Sequence, residues 1–168
     1  YCLNSDKKHD TKTTFYMDSK TTLTALNNTP LFAVLTPEEK IILWQSGNLS
    51  TLLKHQVIYK PGQSATKVYF LLKGIVKVAV HAEKKDIIKY VVREGSLFGE
   101  SSLTGESQRR DFAYIMDERA EVIEFESSTL LSLMKRNFSF AQSLLHFLGE
   151  RLRYTETQLE KVVLKDSK

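Results

Sequence analysis

Between residues 49 and 126 the chain is a succession of short β-branched and aromatic runs, each closed by a turn signal. Val57-Ile58-Tyr59 is stopped by Lys60-Pro61-Gly62, and Val68-Tyr69-Phe70-Leu71-Leu72 by Lys73-Gly74. Residues 75–80 alternate, with Val76, Val78 and Val80 on one face. A polar turn at 83–86 leads into residues 87–92, and the runs 112–116 and 122–125 complete the set. Many short strands with close turn signals, and no long helix between them, read as an antiparallel barrel or sandwich. Gly62, Gly74 and Gly95 then serve as turn residues with positive φ.

Helical signals flank this β region. Thr36-Pro37-Glu38-Glu39 places a capping threonine, a proline at the first helical position and a glutamate at the capping-box position. The helix it starts carries Ile41, Ile42 and Trp44 and is expected to stop near Gly47. After Ser127 a short helix is predicted over 129–135, then a longer one from Phe138 or Ser139 to about Lys165. Ala141, Leu145, Leu148, Leu152, Thr155, Leu159 and Val162 follow one another in steps of four and three, the spacing of a heptad seam. A seam of this kind needs a partner, so Leu145, Leu148, Leu152, Thr155, Leu159 and Val162 are the candidate dimer interface. Phe147, Leu144 and Val163 fall off the seam, and Phe147 is free to pack on the barrel.

The 168 residues suit one domain, and a hydrophobic share of 42% supplies one core. The expected layout is a polar, mobile tail over 1–28, a β-barrel with flanking helices over 29–137, and a dimerisation helix over 138–168. The chain starts at Tyr1, and Met17 is a candidate initiator. The net charge of +4 comes from scattered lysines, which permits contact with nucleic acid without arguing for it. The single cysteine, Cys2, rules out an intrachain disulfide and a cysteine-ligated iron–sulfur cluster, and fits a reducing compartment. No apolar run approaches the ~20 residues of a membrane span, and the first twenty residues hold no signal-peptide core. The cytoplasm is the expected location.

The chemistry is concentrated in residues 95–113. This stretch leaves a strand at Gly95, passes Phe98-Gly99-Glu100-Ser101-Ser102-Leu103, and returns through Arg109-Arg110-Asp111-Phe112-Ala113. Gly99 allows close backbone approach. Glu100-Ser101-Ser102-Leu103 is long enough for one helical turn, whose free N–H groups can hold an anion. Arg109 or Arg110 can neutralise a phosphate, and Glu100 can accept from a sugar hydroxyl. The set makes a cradle for a sugar phosphate.

The same residues resemble the phosphate-binding cassette of cyclic-nucleotide-binding domains, in the Crp/Fnr family of bacterial regulators. That pattern is F-G-E, a small apolar turn, then R-[S/T]-A before a strand. Phe98-Gly99-Glu100 matches it, and Arg110 falls at the arginine position. Lys60-Pro61-Gly62 followed by Val68-Tyr69-Phe70-Leu71-Leu72-Lys73-Gly74 resembles a second marker of the family. The resemblance covers residues 31–163. It implies an eight-stranded double-stranded β-helix, or jelly roll, with a small cassette helix and a long dimerising helix over the pocket mouth. It also implies that Glu100 contacts a ribose hydroxyl and Arg110 a cyclic phosphate. Backbone groups of Gly99, Glu100 and Ser101, with Ser102 beside them, line the anion site, and Thr155 lies near the base. The implied partners are a second copy of the chain, DNA through a C-terminal helix-turn-helix domain outside these residues, and RNA polymerase. The implied ligand is cyclic AMP or another cyclic nucleotide, with no metal.

The chain departs from the pattern at Asp111, where the family's cyclic AMP binders carry Ser or Thr. An ionised carboxylate accepts hydrogen bonds only and repels a phosphate nearby. Asp111 is free to pair with Arg109 or Arg110 and fill the anion site from within. Three outcomes stay open: a cyclic nucleotide, a different small effector, or no small ligand. The inherited alternative for Glu100 and Arg110 is an intrachain ion pair. Ser101 lacks the surroundings of a nucleophile elbow, so no enzyme activity is expected. His9, His55, His81 and His146 are isolated, without metal-ligand spacing, and His81 reads as a turn residue rather than a haem ligand. The functional expectation is the effector-sensing and dimerisation domain of a transcription regulator. A stand-alone nucleotide-binding or interaction module is the alternative.

Overall fold

The computed structural model describes residues 19–83 and 85–166. Three helices come first: α1 (Ser19–Asn28), α2 (Pro30–Ala33) and α3 (Pro37–Ser46). Eight strands follow: β1 (Asn48–Leu53), β2 (Val57–Tyr59), β3 (Lys67–Lys73), β4 (Val76–His81), β5 (Asp86–Val92), β6 (Ser96–Phe98), β7 (Phe112–Ile115) and β8 (Arg119–Glu126). A 3-10 turn, Glu100–Leu103, separates β6 from β7. The chain then forms α4 (Ser127–Arg136) and α5 (Phe138–Asp166). The strands make two antiparallel four-stranded sheets, ordered β1-β8-β3-β6 and β2-β7-β4-β5, in the arrangement of a jelly roll.

Strand β3 shows how the sequence divides the core. Its period of two sends Val68 and Phe70 to one face and Tyr69 and Leu71 to the other. The first pair meets the helices, in a cluster with Phe32, Phe125, Leu130, Phe140 and Leu144. The second pair faces the other sheet, against Val76, Val78, Val92 and Ile115, with Phe98 of the neighbouring strand β6 beside it. The sheet containing β3 is thus buried on both faces, whereas the sheet containing β5 has a wet outer face with Ile87 and Val91 exposed.

The capping box at α3 forms as read: the Thr36 hydroxyl accepts from Glu39 N–H, and the Glu39 carboxylate accepts from Thr36 N–H. The Asn137 side chain links three helix ends. It donates to the carbonyl of Val34 and to Glu39 Oε2, and accepts from Phe140 N–H at the start of α5. Along α5, Leu144 is buried and Phe147 packs on the helix-side core. The seam leucines Leu145, Leu152 and Leu159 stand out at 66%, 59% and 60% exposure.

One expectation needs correction. The polar tail expected over 1–28 gives way to α1 at Ser19, because Leu26 finds a fully buried place against the helical core. The rest of that tail, with Cys2 and Met17, lies outside the described residues. Along β4, Val76 and Val78 reach the core between the sheets and Val80 is half-buried. A bulge shifts the β4–β5 register between Val78 and Ala79.

Candidate functional site

That bulge also positions the site. Val78 pairs with Tyr90 and Ala79 with Ile88, which leaves Lys89 as the extra residue on β5. In a regular strand Lys89 and Tyr90 would point to opposite faces. Here both line one cavity of about 180 Å³, together with Tyr59, Gly99, Glu100, Ser101, Thr104 and Asp111. The residues singled out in the sequence therefore converge on a pocket. It is walled by β2, β5 and the cassette loop between β6 and β7. A larger groove of about 590 Å³ runs between α2 and the first half of α5, past Leu31, Val34 and Phe147. The ion pairs gather at the smaller cavity.

Gly99 sits at φ 73°, a left-handed conformation open to glycine. A Cβ there would lie 2.9 Å from the Tyr69 ring and 3.1 Å from Arg109 Nη1, so the closeness of the backbone is used. Of the two arginines, Arg109 goes inside. It is 3% exposed and lies 4.5 Å over the Tyr59 ring and 5.7 Å from the centroid of the Tyr69 ring. Its guanidinium donates to the carbonyl of Gly99 at 2.7 Å, to Ser101 Oγ at 3.1 Å and to the carbonyl of Lys67. Arg109 thus closes the floor by satisfying carbonyls. The backbone sets the choice: Arg109 N–H donates to Gln63 and its carbonyl accepts from Gly62, which turns its side chain toward the loop. Arg110, expected at the phosphate, instead points away. Its side chain is 82% exposed, with Glu106 at 3.5 Å.

The sequence leaves Asp111 free to pair with Arg109 or Arg110. It pairs with Lys89 instead, Nζ to Oδ2 at 2.6 Å, because the bulge brings the lysine in while Arg110 faces solvent. Ser102 is not a lining residue either; its buried hydroxyl donates to the carbonyls of Lys67 and Gly99 and fixes the loop. Glu100 remains in the wall and accepts from Tyr90 Oη at 3.3 Å. Thr155 lies half-buried on α5, with its hydroxyl donating to the carbonyl of Arg151.

The sequence reading missed five site residues: Lys89, Tyr59, Tyr90 and Thr104 in the lining, and Arg151 behind it. Arg151 reaches from α5 into the cassette. Its guanidinium donates to Glu100 Oε2 at 2.9 Å and to the carbonyl of Leu97 at 2.6 Å. It also lies 4.4 Å from the centroid of the Tyr90 ring and 4.6 Å from that of Phe147. The signal available was an arginine one step before a seam leucine, where flanking charge is common. Burial pushes both phenols above their ordinary range, and nearby carboxylates add to it: Asp111 and Glu100 at Tyr59, Glu100 at Tyr90. Both hydroxyls are therefore neutral donors at physiological pH.

His81 pairs with Asp86 at 2.7 Å and stacks on Phe112 at the β4–β5 hairpin, away from the cavity. Among the described residues no three His, Cys, Asp or Glu side chains converge as a metal set. No described helix is long and apolar enough to cross a membrane.

Comparison with known proteins places this fold among its relatives. The cyclic nucleotide-binding domain family matches residues 49–137. The global nitrogen regulator of Nostoc sp. is 30% identical over 120 residues, covering 70% of this chain and 54% of that protein. The cAMP-activated global transcriptional regulator CRP of Pasteurella multocida is 29% identical over 106 residues, covering 62% and 51%. The chain thus spans about half the length of these curated relatives. In fold it is similar to the sensor domain of the transcriptional regulator DNR from Pseudomonas aeruginosa, with a TM-score of 0.68 at 24% identity, covering 77% of this chain and 92% of that one.

Proposed function

Since the chain belongs to the cyclic nucleotide-binding domain family, we propose that it is the effector-sensing and dimerisation domain of a Crp/Fnr-type transcription regulator. One observation carries this reading: Arg151, on the helix that bears the exposed seam, is bonded to Glu100 in the pocket wall. Any ligand that competes for Glu100 or Arg151 changes how α5 is held. A change in α5 alters the packing of two such helices across a dimer. The seam residues Leu145, Leu152, Leu159 and Val162, all more than half exposed, are the surface that a second copy covers.

In this reading the protein acts by binding and population shift, without catalysis. Ser101 Oγ accepts a hydrogen bond from Arg109, whereas a nucleophile needs a base. DNA is contacted through a domain outside these residues, as the relatives' names as transcriptional regulators suggest. The effector is a small molecule held in the cassette cavity. A cyclic nucleotide is the ligand class of the family, but each cation at this cassette is already engaged: Lys89 by Asp111, Arg109 by carbonyls, Arg110 by Glu106 and Arg151 by Glu100.

The test is analytical ultracentrifugation of the chain and of Glu100→Gln, with amide exchange followed along α5. Coupling of pocket to dimer predicts a change of at least about fivefold in the dimer dissociation constant, with faster exchange near Arg151. An unchanged constant and unchanged exchange would reject the coupling.

A further inference from the structure

The cassette cavity already holds an ammonium group, and the protein supplies it. Lys89 Nζ lies 2.6 Å from Asp111 Oδ2 and 5.9 Å from the centroid of the Tyr90 ring. The two partners differ in freedom. The Asp111 side chain is 12% exposed and fixed in the wall, while that of Lys89 is 44% exposed on edge strand β5. The bulge exists at Lys89 itself, and its effect is to aim this one side chain into the cavity.

From this arrangement we propose that the pocket recognises a primary ammonium group on a small metabolite. Asp111 is its acceptor and the Tyr90 ring its cation-binding face, and Lys89 is an internal stand-in that the ligand displaces. The inference rests on the cassette being the effector site and names the ligand class for it.

Electrostatics favours this class. When Lys89 swings out, Asp111 is left as a nearly buried carboxylate, and a carboxylate without a partner there is costly. The neighbouring cations are directed elsewhere: Arg109 to the carbonyls of Gly99 and Lys67, Arg151 to Glu100 and the carbonyl of Leu97. A ligand ammonium restores the lost pair. A phosphodiester in the same place would face Asp111 and Glu100 together, since both line the cavity. The Tyr90 ring already carries the Arg151 guanidinium at 4.4 Å and the Lys89 ammonium at 5.9 Å, so a ligand ammonium in place of Lys89 keeps an existing cation contact, and that attraction grows as water is excluded. The cavity of about 180 Å³ admits a small amine or amino acid.

The experiment is calorimetric titration of the wild-type chain, Lys89→Ala and Asp111→Asn with butylammonium, L-alanine, n-butanol and cyclic AMP. Removing the internal competitor is expected to tighten ammonium binding about tenfold if Lys89 fills the site nine-tenths of the time. Asp111→Asn should abolish it, and n-butanol should not bind. Tighter binding of L-alanine supports an α-amino acid whose carboxylate meets the freed Lys89. Tighter binding of butylammonium supports a plain amine. Absence of ammonium binding to Lys89→Ala, a variant at a well-exposed site that is expected to fold, overturns the proposal. So does equal binding of n-butanol. If Lys89→Ala takes cyclic AMP and no ammonium, the effector site stands and the ligand class falls. If ammonium binds while Glu100→Gln leaves the dimer unchanged, the ligand class stands and the regulatory reading falls.

Discussion

Replacing Arg151 by methionine keeps much of the aliphatic stem and removes the guanidinium that lies against Tyr90 and Phe147. Three contributions are lost. The bond to Glu100, 2.9 Å between side chains 15% and 19% exposed, is charge-assisted and largely shielded, and contributes about 2 kcal/mol. The bond to the Leu97 carbonyl at 2.6 Å adds about 1 kcal/mol. The ring contacts at 4.4 and 4.6 Å add roughly 0.5–1 kcal/mol. Arg151→Met should therefore lower the unfolding free energy by about 3–4 kcal/mol, and Glu100→Gln by about 2 kcal/mol. Because the two side chains act through each other, the double variant should cost about 3–4 kcal/mol, which leaves a coupling energy of about 2 kcal/mol. The assay is urea unfolding at one fixed protein concentration, so that association does not shift the midpoint between variants. A coupling energy below about 0.5 kcal/mol would mean that the two side chains contribute independently, and would refute this account of the Arg151–Glu100 pair.

Other outcomes follow from the same geometry. Leu152, 59% exposed in the middle of the seam, can become Asp without disturbing the monomer core, so Leu152→Asp should sediment as a folded monomer; a persistent dimer rejects the seam. Gly99→Ala combines a left-handed backbone with contacts of 2.9 and 3.1 Å to Tyr69 and Arg109, for a loss of about 2–4 kcal/mol. Gly105→Ala, at φ 88° with open space around it, should cost about 1–2 kcal/mol, and equal losses in urea unfolding would show that crowding at Gly99 is unimportant. The phenols of Tyr59, Tyr69 and Tyr90 hold their protons above the ordinary value of 10.0, chiefly through burial. A raised folded value means that the native state binds the proton more tightly. Their contribution is full below pH 10 and falls as pH rises beyond it. Ultraviolet titration should show these tyrosines ionising only as the protein unfolds; ionisation together with the exposed tyrosines would contradict their burial.

Much of the architecture was legible because it rests on local periodicity. The capping box, the glycine-closed strands and the start of α5 at Phe138 each depend on residues a few positions apart. The site was legible in outline. Gly99 and Glu100 face the pocket because the F-G-E turn is local. Its electrostatics were not, since they depend on which distant side chains arrive. Nothing in Ile87-Ile88-Lys89-Tyr90 announces a bulge, and without the bulge Lys89 would point away from Asp111. Arg109 and Arg110 are indistinguishable as residue types, and only the backbone pairing with Gln63 and Gly62 decides which one turns inward. Arg151 was hidden for a different reason. A heptad reading sorts positions into seam and flank, and has no term for a flank residue that reaches the barrel.

The pairing of β1 with β8 sets a schedule for the newborn chain. Asn48 meets Glu124 and Leu53 meets Arg119, so the first strand to leave the ribosome waits for the last. At ~5–20 residues per second that delay is roughly 4–15 s. During it Leu49 and Leu52, destined for partial burial, have no sheet to join, and β1 is an open edge able to pair with a neighbouring nascent chain. The long-range order of these strands therefore makes β1 the segment on which chaperone protection during synthesis should concentrate.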